Sequence, residues 1–220
     1  MAASTSAPIV VFDLDGTLLD TLDDIQFALN TALAEHGHPV HDHDSVRRMV
    51  GHGLGELVKQ GLPAHAAADY DAVLARLRHL YLDTPVRNTR PYPGIPELLA
   101  ELKSRGVLLG ILTNKAHPVA VKIVDHFFPG VFDAVQGEEV GLARKPNPAG
   151  VERLLGRMSC RGLETVFVGD SEADVHTALN AGLPCIAVSW GFRDEEVLRA
   201  AGAVNVVGTT DNLRFLIGLD

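Results

Sequence analysis

Ile9-Val10-Val11-Phe12-Asp13-Leu14-Asp15-Gly16-Thr17 is the stretch that decides the fold. Four apolar residues follow one another without alternation, as in a strand buried on both faces of a parallel sheet. Two carboxylates then appear two positions apart, on the same side of an extended chain. Gly16 permits a sharp departure from the strand direction. The same kind of apolar run recurs at residues 107–112, 166–168 and 185–188, and a shorter one lies at 203–207. Amphipathic stretches at 95–105, 117–127, 149–157 and 173–181 separate them, and a closing helix is expected after Asp211. Gly106 and Gly182 stand where helices stop before the next strand. Strands alternating with helices predict an α/β fold, a doubly wound parallel sheet of Rossmann-like type.

Residues 20–90 break this rhythm, because no strand-like run lies between them. Helical patterns are read at 22–35, 45–50, 55–61 and 66–82. The chain returns through Thr84-Pro85 and through Arg90-Pro91-Tyr92-Pro93-Gly94, which is rich in turn formers. About seventy residues of helix cannot be a simple crossover. The expected organisation is therefore a helical domain at 20–87 inserted into an α/β core formed by 1–19 and 88–220.

The composition narrows the function classes. The chain has 220 residues, 28 acidic against 19 basic, for a net charge of −9. That balance argues against a nucleic-acid binder, which would present a basic face. Hydrophobic residues make up 46% and charged residues 21%, an ordinary globular mixture. Cys160 and Cys185 have no Cys or His neighbours at ligand spacing, and read as reduced thiols. The opening MAASTSAP lacks the basic and apolar regions of a secretory signal, and no apolar run reaches membrane-spanning length. A cytoplasmic protein with no membrane partner is expected.

Three apolar runs end in a polar residue: Asp13, Thr113 and Asp170. In open parallel sheets the ligand crevice lies at the carboxyl ends of the strands, so these three should meet on one rim. Asp13 and Asp15 repel each other and call for a cation beside them. Asp170 opens Asp170-Ser171-Glu172-Ala173-Asp174 and adds a further carboxylate; Asp174, one helical turn on, is expected to orient a neighbour. All-oxygen donors of this kind suit Mg²⁺, which binds beside phosphate. Thr113 offers a hydroxyl, Asn114 an amide and a backbone N–H, and Lys145 a compact positive charge for phosphoryl oxygens.

Asp13-Leu14-Asp15-Gly16-Thr17-Leu18 resembles the first motif of the haloacid dehalogenase-like phosphohydrolases. Thr113, Lys145-Pro146 and Gly169-Asp170-Ser171-Glu172-Ala173-Asp174 resemble the second, third and fourth. The helical insert resembles the family's C1 cap. Pro91-Tyr92-Pro93-Gly94, Thr113-Asn114-Lys115 and Trp190-Gly191-Phe192 resemble its phosphoglycolate phosphatase branch. The resemblance implies a Mg²⁺-dependent phosphatase of small phosphorylated metabolites, with 2-phosphoglycolate as the first substrate. It implies Asp13 as nucleophile and Asp15 as general acid and base. It implies Mg²⁺ held by the Asp13 carboxylate, the Asp15 carbonyl and Asp170, with phosphoryl oxygens held by Thr113, Asn114 and Lys145. Asp174 would support Lys145 or the metal shell. A phosphomutase shares these motifs and stays open as an alternative. A dehalogenase would lack the second carboxylate, Asp15. A receiver domain also places Asp, Thr and Lys at strand ends, but the Asp-x-Asp spacing and the large insert argue against it.

Two other segments draw notice. His36-Gly37-His38-Pro39-Val40-His41-Asp42-His43 is histidine-dense but contains turn formers, so a solvated loop is expected. Gly51-His52-Gly53-Leu54-Gly55 lacks the spacing of a dinucleotide loop and reads as a flexible turn with close helix packing, with a cap loop placed over the phosphate as the other reading. Arg47 and Arg48 are expected on a solvated face, with pairing to a substrate carboxylate as the other reading.

Overall fold

The computed structural model describes residues 9–83, 86–159 and 164–218. Thr84-Pro85, Cys160 and the opening segment lie outside them. Strand β1 (Ile9–Phe12) leads into a tight turn and the two-residue β2 (Leu19–Asp20). The insert follows as α1 (Leu22–Glu35), α2 (His43–Met49), α3 (Leu54–Gly61), a 3₁₀ turn (Ala64–Asp69) and α4 (Tyr70–Asp83). The chain returns through β3 (Arg90–Pro91), which pairs antiparallel with β2. The expected strand-free insert is thus bounded by a small ribbon, too short to show as an apolar run. The single helix expected at 66–82 divides into the 3₁₀ turn and α4.

The core then runs α5 (Ile95–Ser104), β4 (Leu108–Ala116), α6 (His117–Phe127), β5 (Ala134–Glu138), α7 (Ala149–Arg157) and β6 (Thr165–Gly169). It closes with α8 (Glu172–Asn180), β7 (Cys185–Val188), α9 (Glu195–Ala200), β8 (Asn205–Val207) and α10 (Thr210–Ile217). Six parallel strands lie in the order β5-β4-β1-β6-β7-β8. The chain moves outward from β1 to one side through β4 and β5, then to the other through β6, β7 and β8. The topological switch point therefore falls between β1 and β6, where such sheets open a crevice.

Neighbouring β1 residues face opposite layers. Val10 and Phe12 join Leu98, Leu109 and Ile123 on the side of α5 and α6. Ile9 and Val11 pack with Val151, Leu154 and Phe167 on the side of α7. The first cluster runs on without interruption into the insert through Leu19, Ile25, Leu29 and Leu77. Gly106 and Gly182 both have positive φ, as expected after α5 and α8.

One finding differs from the expectation in a way that matters for the site. Strand β4 does not end before Thr113; it runs on to Ala116, with an irregularity in its pairing to β5 between Leu112 and Ala116. Such bulges re-aim side chains. Gly137 of β5 allows this close approach, since a Cβ there would stand about 2.6 Å from the Lys115 carbonyl oxygen.

Candidate active site

Each strand end contributes one group. Asp13 follows β1 directly, and its amide donates to the Val168 carbonyl of β6 at 2.9 Å. The chain then folds back on itself: Leu18 and Leu19 amides donate to the Leu14 carbonyl, and the Gly16 amide to Leu19. Gly16 has φ +86°, and a Cβ there would collide with the Asp170 carboxylate. Only glycine keeps the first turn against the third strand end.

Asp13, Asp170 and Asp174 bring carboxylate oxygens within 4.8 Å of one another, all buried. One ammonium serves two of them. Lys145 Nζ lies 2.8 Å from Asp13 Oδ1 and donates to Asp174 Oδ1 at 2.6 Å. The remaining oxygen of Asp174 is taken by the amide and hydroxyl of Ser171, at 3.0 and 2.6 Å, which closes the start of α8. Asp174 thus orients Lys145 and its own helix. Among the described residues Asp170 accepts only from neutral donors, the Thr17 hydroxyl at 3.0 Å and the Phe192 amide at 2.7 Å. Burial pushes the Asp13 carboxyl up to about 7 despite Lys145, with Asp174 and Asp15 adding repulsion. Burial, then the charges of Asp174 and Asp13, raise Asp170 well above the carboxylate range. Burial alone would depress the Lys145 ammonium, but the two carboxylates outweigh it and raise it.

Three buried carboxylates against one ammonium leave the cluster short of positive charge, and every donor is a hard oxygen. Asp13 and Asp170 therefore fit a divalent cation such as Mg²⁺. The Asp15 carboxylate stands apart from this cluster. Both its oxygens accept from Lys115 Nζ at 2.9 Å, and that ammonium sits 4.7 Å from the centre of the Tyr81 ring.

The bulged end of β4 carries Thr113, Asn114 and Lys115. Asn114 uses its side chain as a strut: it accepts from the Lys145 amide at 2.9 Å and donates to the Gly51 carbonyl at 2.9 Å. The Lys145–Pro146 bond is cis. All seven expected residues except Asp174 line one cavity of about 50 Å³. That is room for roughly four water positions.

The insert supplies the other wall through Ile25, Val50, Gly51, Gly53, Leu54, Leu57 and Tyr81. The reading of 51–55 as a cap loop over the phosphate needs correction in part. Gly51 and Gly53 do line the cavity, but His52 is exposed and lines a separate outer groove with Glu56, Lys59 and Arg144. Its carbonyl accepts from Arg144 at 3.0 Å, which turns the ring outward. Arg47 and Arg48 face neither cavity. Arg47 pairs with Asp194 at 2.9 Å, and Arg48 donates to Ser45 Oγ at 3.2 Å. The histidines of 36–43 do not converge: His36 meets the Ala32 carbonyl, His38 Asp69, His41 the Gly61 carbonyl and His43 Asp23.

Sequence reasoning did not assign roles to Lys115 or Arg193. Arg193, buried, donates to Glu172 at 2.8 Å and to the carbonyls of Arg47, Arg48 and Val50 at 2.9, 3.4 and 2.7 Å. The position of Lys115, two residues past Thr113 on a strand end, was the available signal for the first. Nothing local marked Arg193, whose three carbonyl partners in the insert lie over 140 residues away.

A family model described as haloacid dehalogenase-like hydrolase matches residues 10–188. A phosphoglycolate phosphatase of Mesorhizobium japonicum is 35% identical over 200 residues, 87% of either chain. One from Rhodospirillum rubrum is 37% identical over 86% of this chain and 82% of its own. Among solved structures, a Lactobacillus delbrueckii subsp. bulgaricus protein superposes with a TM-score of 0.89 at 31% identity, over 95% of this chain and 97% of its own. CbbY from Rhodobacter sphaeroides, solved in complex with phosphate, superposes with a TM-score of 0.71 at 26% identity, over 90% and 92%.

Proposed function

The chain belongs to the haloacid dehalogenase-like hydrolases and is a phosphoric monoester hydrolase, and we propose that its reaction is Mg²⁺-dependent hydrolysis of small phosphomonoesters, 2-phosphoglycolate first among them. The observation that carries this reading is the pairing at the end of β1. Asp13 is buried beside Lys145, while Asp15, two residues on, is held to one side by Lys115. One carboxylate is placed to attack and the other to handle a proton.

In this reading Asp13 attacks phosphorus, the bond to the leaving oxygen breaks, and Asp15 delivers a proton to that oxygen. An aspartyl-phosphate results. Asp15 then takes a proton from the attacking water, the acyl-phosphate P–O bond breaks, and phosphate leaves with Asp13 restored. Thr113, the Asn114 N–H and Lys145 hold the phosphoryl oxygens and offset the charge of a loose transition state. Asp13, Asp170 and the Asp15 carbonyl would hold Mg²⁺, which when bound would neutralise charge on the nucleophile and the phosphoryl group. Asp174 keeps Lys145 aimed.

Residues 20–87 act as a cap over a core of 1–19 and 88–220, and they supply the wall that meets the leaving group. The substrate is a small phosphorylated metabolite rather than nucleic acid, and the setting is cytoplasmic. Among the described residues no helix is long and apolar enough to cross a membrane.

Phosphate release from a panel of phosphate esters, with Mg²⁺ and with EDTA, tests the reading. Turnover of 2-phosphoglycolate that vanishes in EDTA and returns with Mg²⁺ is expected. Full turnover in chelator would remove the metal, and no turnover of any ester would remove the phosphatase.

A further inference from the structure

The cavity wall holds three cations, and two of them already have a part in the site. Lys145 spans Asp13 and Asp174. Arg193 spends its donors on Glu172 and on three carbonyls of the insert. Lys115 differs. Its side chain is 4% exposed, yet its only hydrogen-bond acceptor among the described residues is the Asp15 carboxylate. An ammonium has three N–H donors, and two are directed at Asp15. The Tyr81 ring faces the same nitrogen without offering an oxygen.

The position of Lys115 follows from the role of Asp15. A general acid must come within about 3 Å of the oxygen it protonates. Lys115 Nζ is 2.9 Å from both oxygens of that acid. The ammonium therefore stands close to the leaving oxygen. It meets whatever the leaving group carries on its first carbons. Beside it the insert contributes Ile25, Leu57 and the Tyr81 ring, whose hydroxyl is the one polar side-chain atom among these three. A leaving group with several hydroxyls would lose water there while gaining few partners. One short anionic group would find a charged donor and nothing else to satisfy.

Resting on the phosphatase reading above, we propose that Lys115 is the specificity-determining residue that binds a carboxylate on the leaving group, so that the site selects phosphate esters of short 2-hydroxy acids. Asp15 and the substrate carboxylate share the ammonium: Asp15 keeps its place for proton transfer while the third N–H goes to the substrate.

The test compares 2-phosphoglycolate with ethyl phosphate, which is similar in size but lacks the carboxylate. Wild type, Lys115→Met, Lys115→Gln and Lys115→Arg are assayed with Mg²⁺. The quantity read is the ratio of the two kcat/KM values, which does not depend on how much of each variant is folded. Wild type is expected to prefer 2-phosphoglycolate by at least 100-fold. Lys115→Met and Lys115→Gln should bring the preference below tenfold, mostly through KM, while activity on ethyl phosphate also falls as Asp15 loses its partner. Lys115→Arg should retain most of the preference. Competitive inhibition by glycolate should weaken at least tenfold in Lys115→Met.

A wild-type enzyme that hydrolyses both esters equally well overturns the inference and leaves the phosphatase intact. So does a preference that survives in Lys115→Met, or a loss equal for both esters, which would mean that Lys115 only positions Asp15. Failure to release phosphate from either ester overturns the phosphatase reading itself.

Discussion

A single buried ion pair sets the reactivity of Asp13. Its carboxylate lies 2.8 Å from Lys145 and is enclosed at the end of β1, so its charge must be held by neighbours rather than by water. Asp13→Asn keeps the shape and removes the attacking charge. Turnover of 2-phosphoglycolate should fall by at least ~10³, in line with the loss of a covalent catalyst. A folded variant that kept more than a tenth of wild-type kcat would show that Asp13 is not the nucleophile. Asp13, Thr113 and Asp170 were legible because each follows an apolar run, and chain direction in a parallel sheet brings such ends to one rim, whereas Lys145 follows no such run and rested on the order of the motifs. Lys115 was not assigned a role, since the apolar run before it stops at Leu112 and the bulge that carries the strand on to Ala116 depends on pairing with β5. That strand is itself illegible locally: Ala134-Val135-Gln136-Gly137-Glu138 is neither a continuous apolar run nor a clean alternation, and packing against β4 makes it a strand.

At the scale of elements, the insert is tied to the core at two places. The first is the loop after β7. Arg193 takes the carbonyls of Arg47, Arg48 and Val50 at the end of α2, while Arg47 reaches back to Asp194 and to the Gly191 carbonyl. Those carbonyls have no partner within the helix, and a cation there also opposes the negative end of the helix dipole. Arg193→Ala leaves buried carbonyls and Glu172 without their donor. A loss of about 2–4 kcal/mol in unfolding free energy is expected by denaturant titration. KM should rise several-fold as Val50 and Gly51 move off the cavity; unchanged KM and stability would mean that the insert is seated by packing alone. The second tie is Asp24 in the first turn of α1, whose carboxylate accepts from the amides of Arg87, Asn88 and Thr89 and from the Thr89 hydroxyl at 2.6 Å. Burial alone would raise this carboxyl, but these donors outweigh it and hold it below the ordinary range. A depressed folded pKa stabilises above the unfolded value of about 3.9 and loses its effect as pH falls through the folded one. Asp24→Asn should therefore cost about 1–3 kcal/mol near pH 7. The gap to wild type should close as pH falls below about 4, and a gap that persisted in acid would assign the loss to packing.

The molecule as a whole stores uncompensated negative charge at the switch point of its sheet, and that cost should appear in its global stability. Asp13, pushed up to about 7 by burial, and Asp170, also raised well above the carboxylate range, both resist ionisation in the folded chain. In EDTA the sign is the reverse of the Asp24 case. A carboxyl whose folded pKa lies above its unfolded one contributes most below the unfolded pKa, where both states are protonated; as pH rises the unfolded state ionises first, and the contribution is lost by the folded value. For Asp13 the window runs from about 4 to about 7. A divalent cation that binds only the folded state opposes this loss, and its effect grows as the carboxylates ionise. At Mg²⁺ a hundredfold above its dissociation constant the gain is about 2.7 kcal/mol. For a chain of this size that corresponds to a rise in Tm of roughly 5–10 °C. Thermal unfolding in EDTA and in Mg²⁺, at pH 5 and pH 7.5, should show a larger shift at the higher pH. Asp170→Ala should abolish most of the shift, because it removes a ligand while also relieving the repulsion that the ion would neutralise. Equal Tm values in EDTA and Mg²⁺ at both pH values would mean that the buried carboxylates meet their charge deficit by holding a proton, and that the cluster takes no divalent ion.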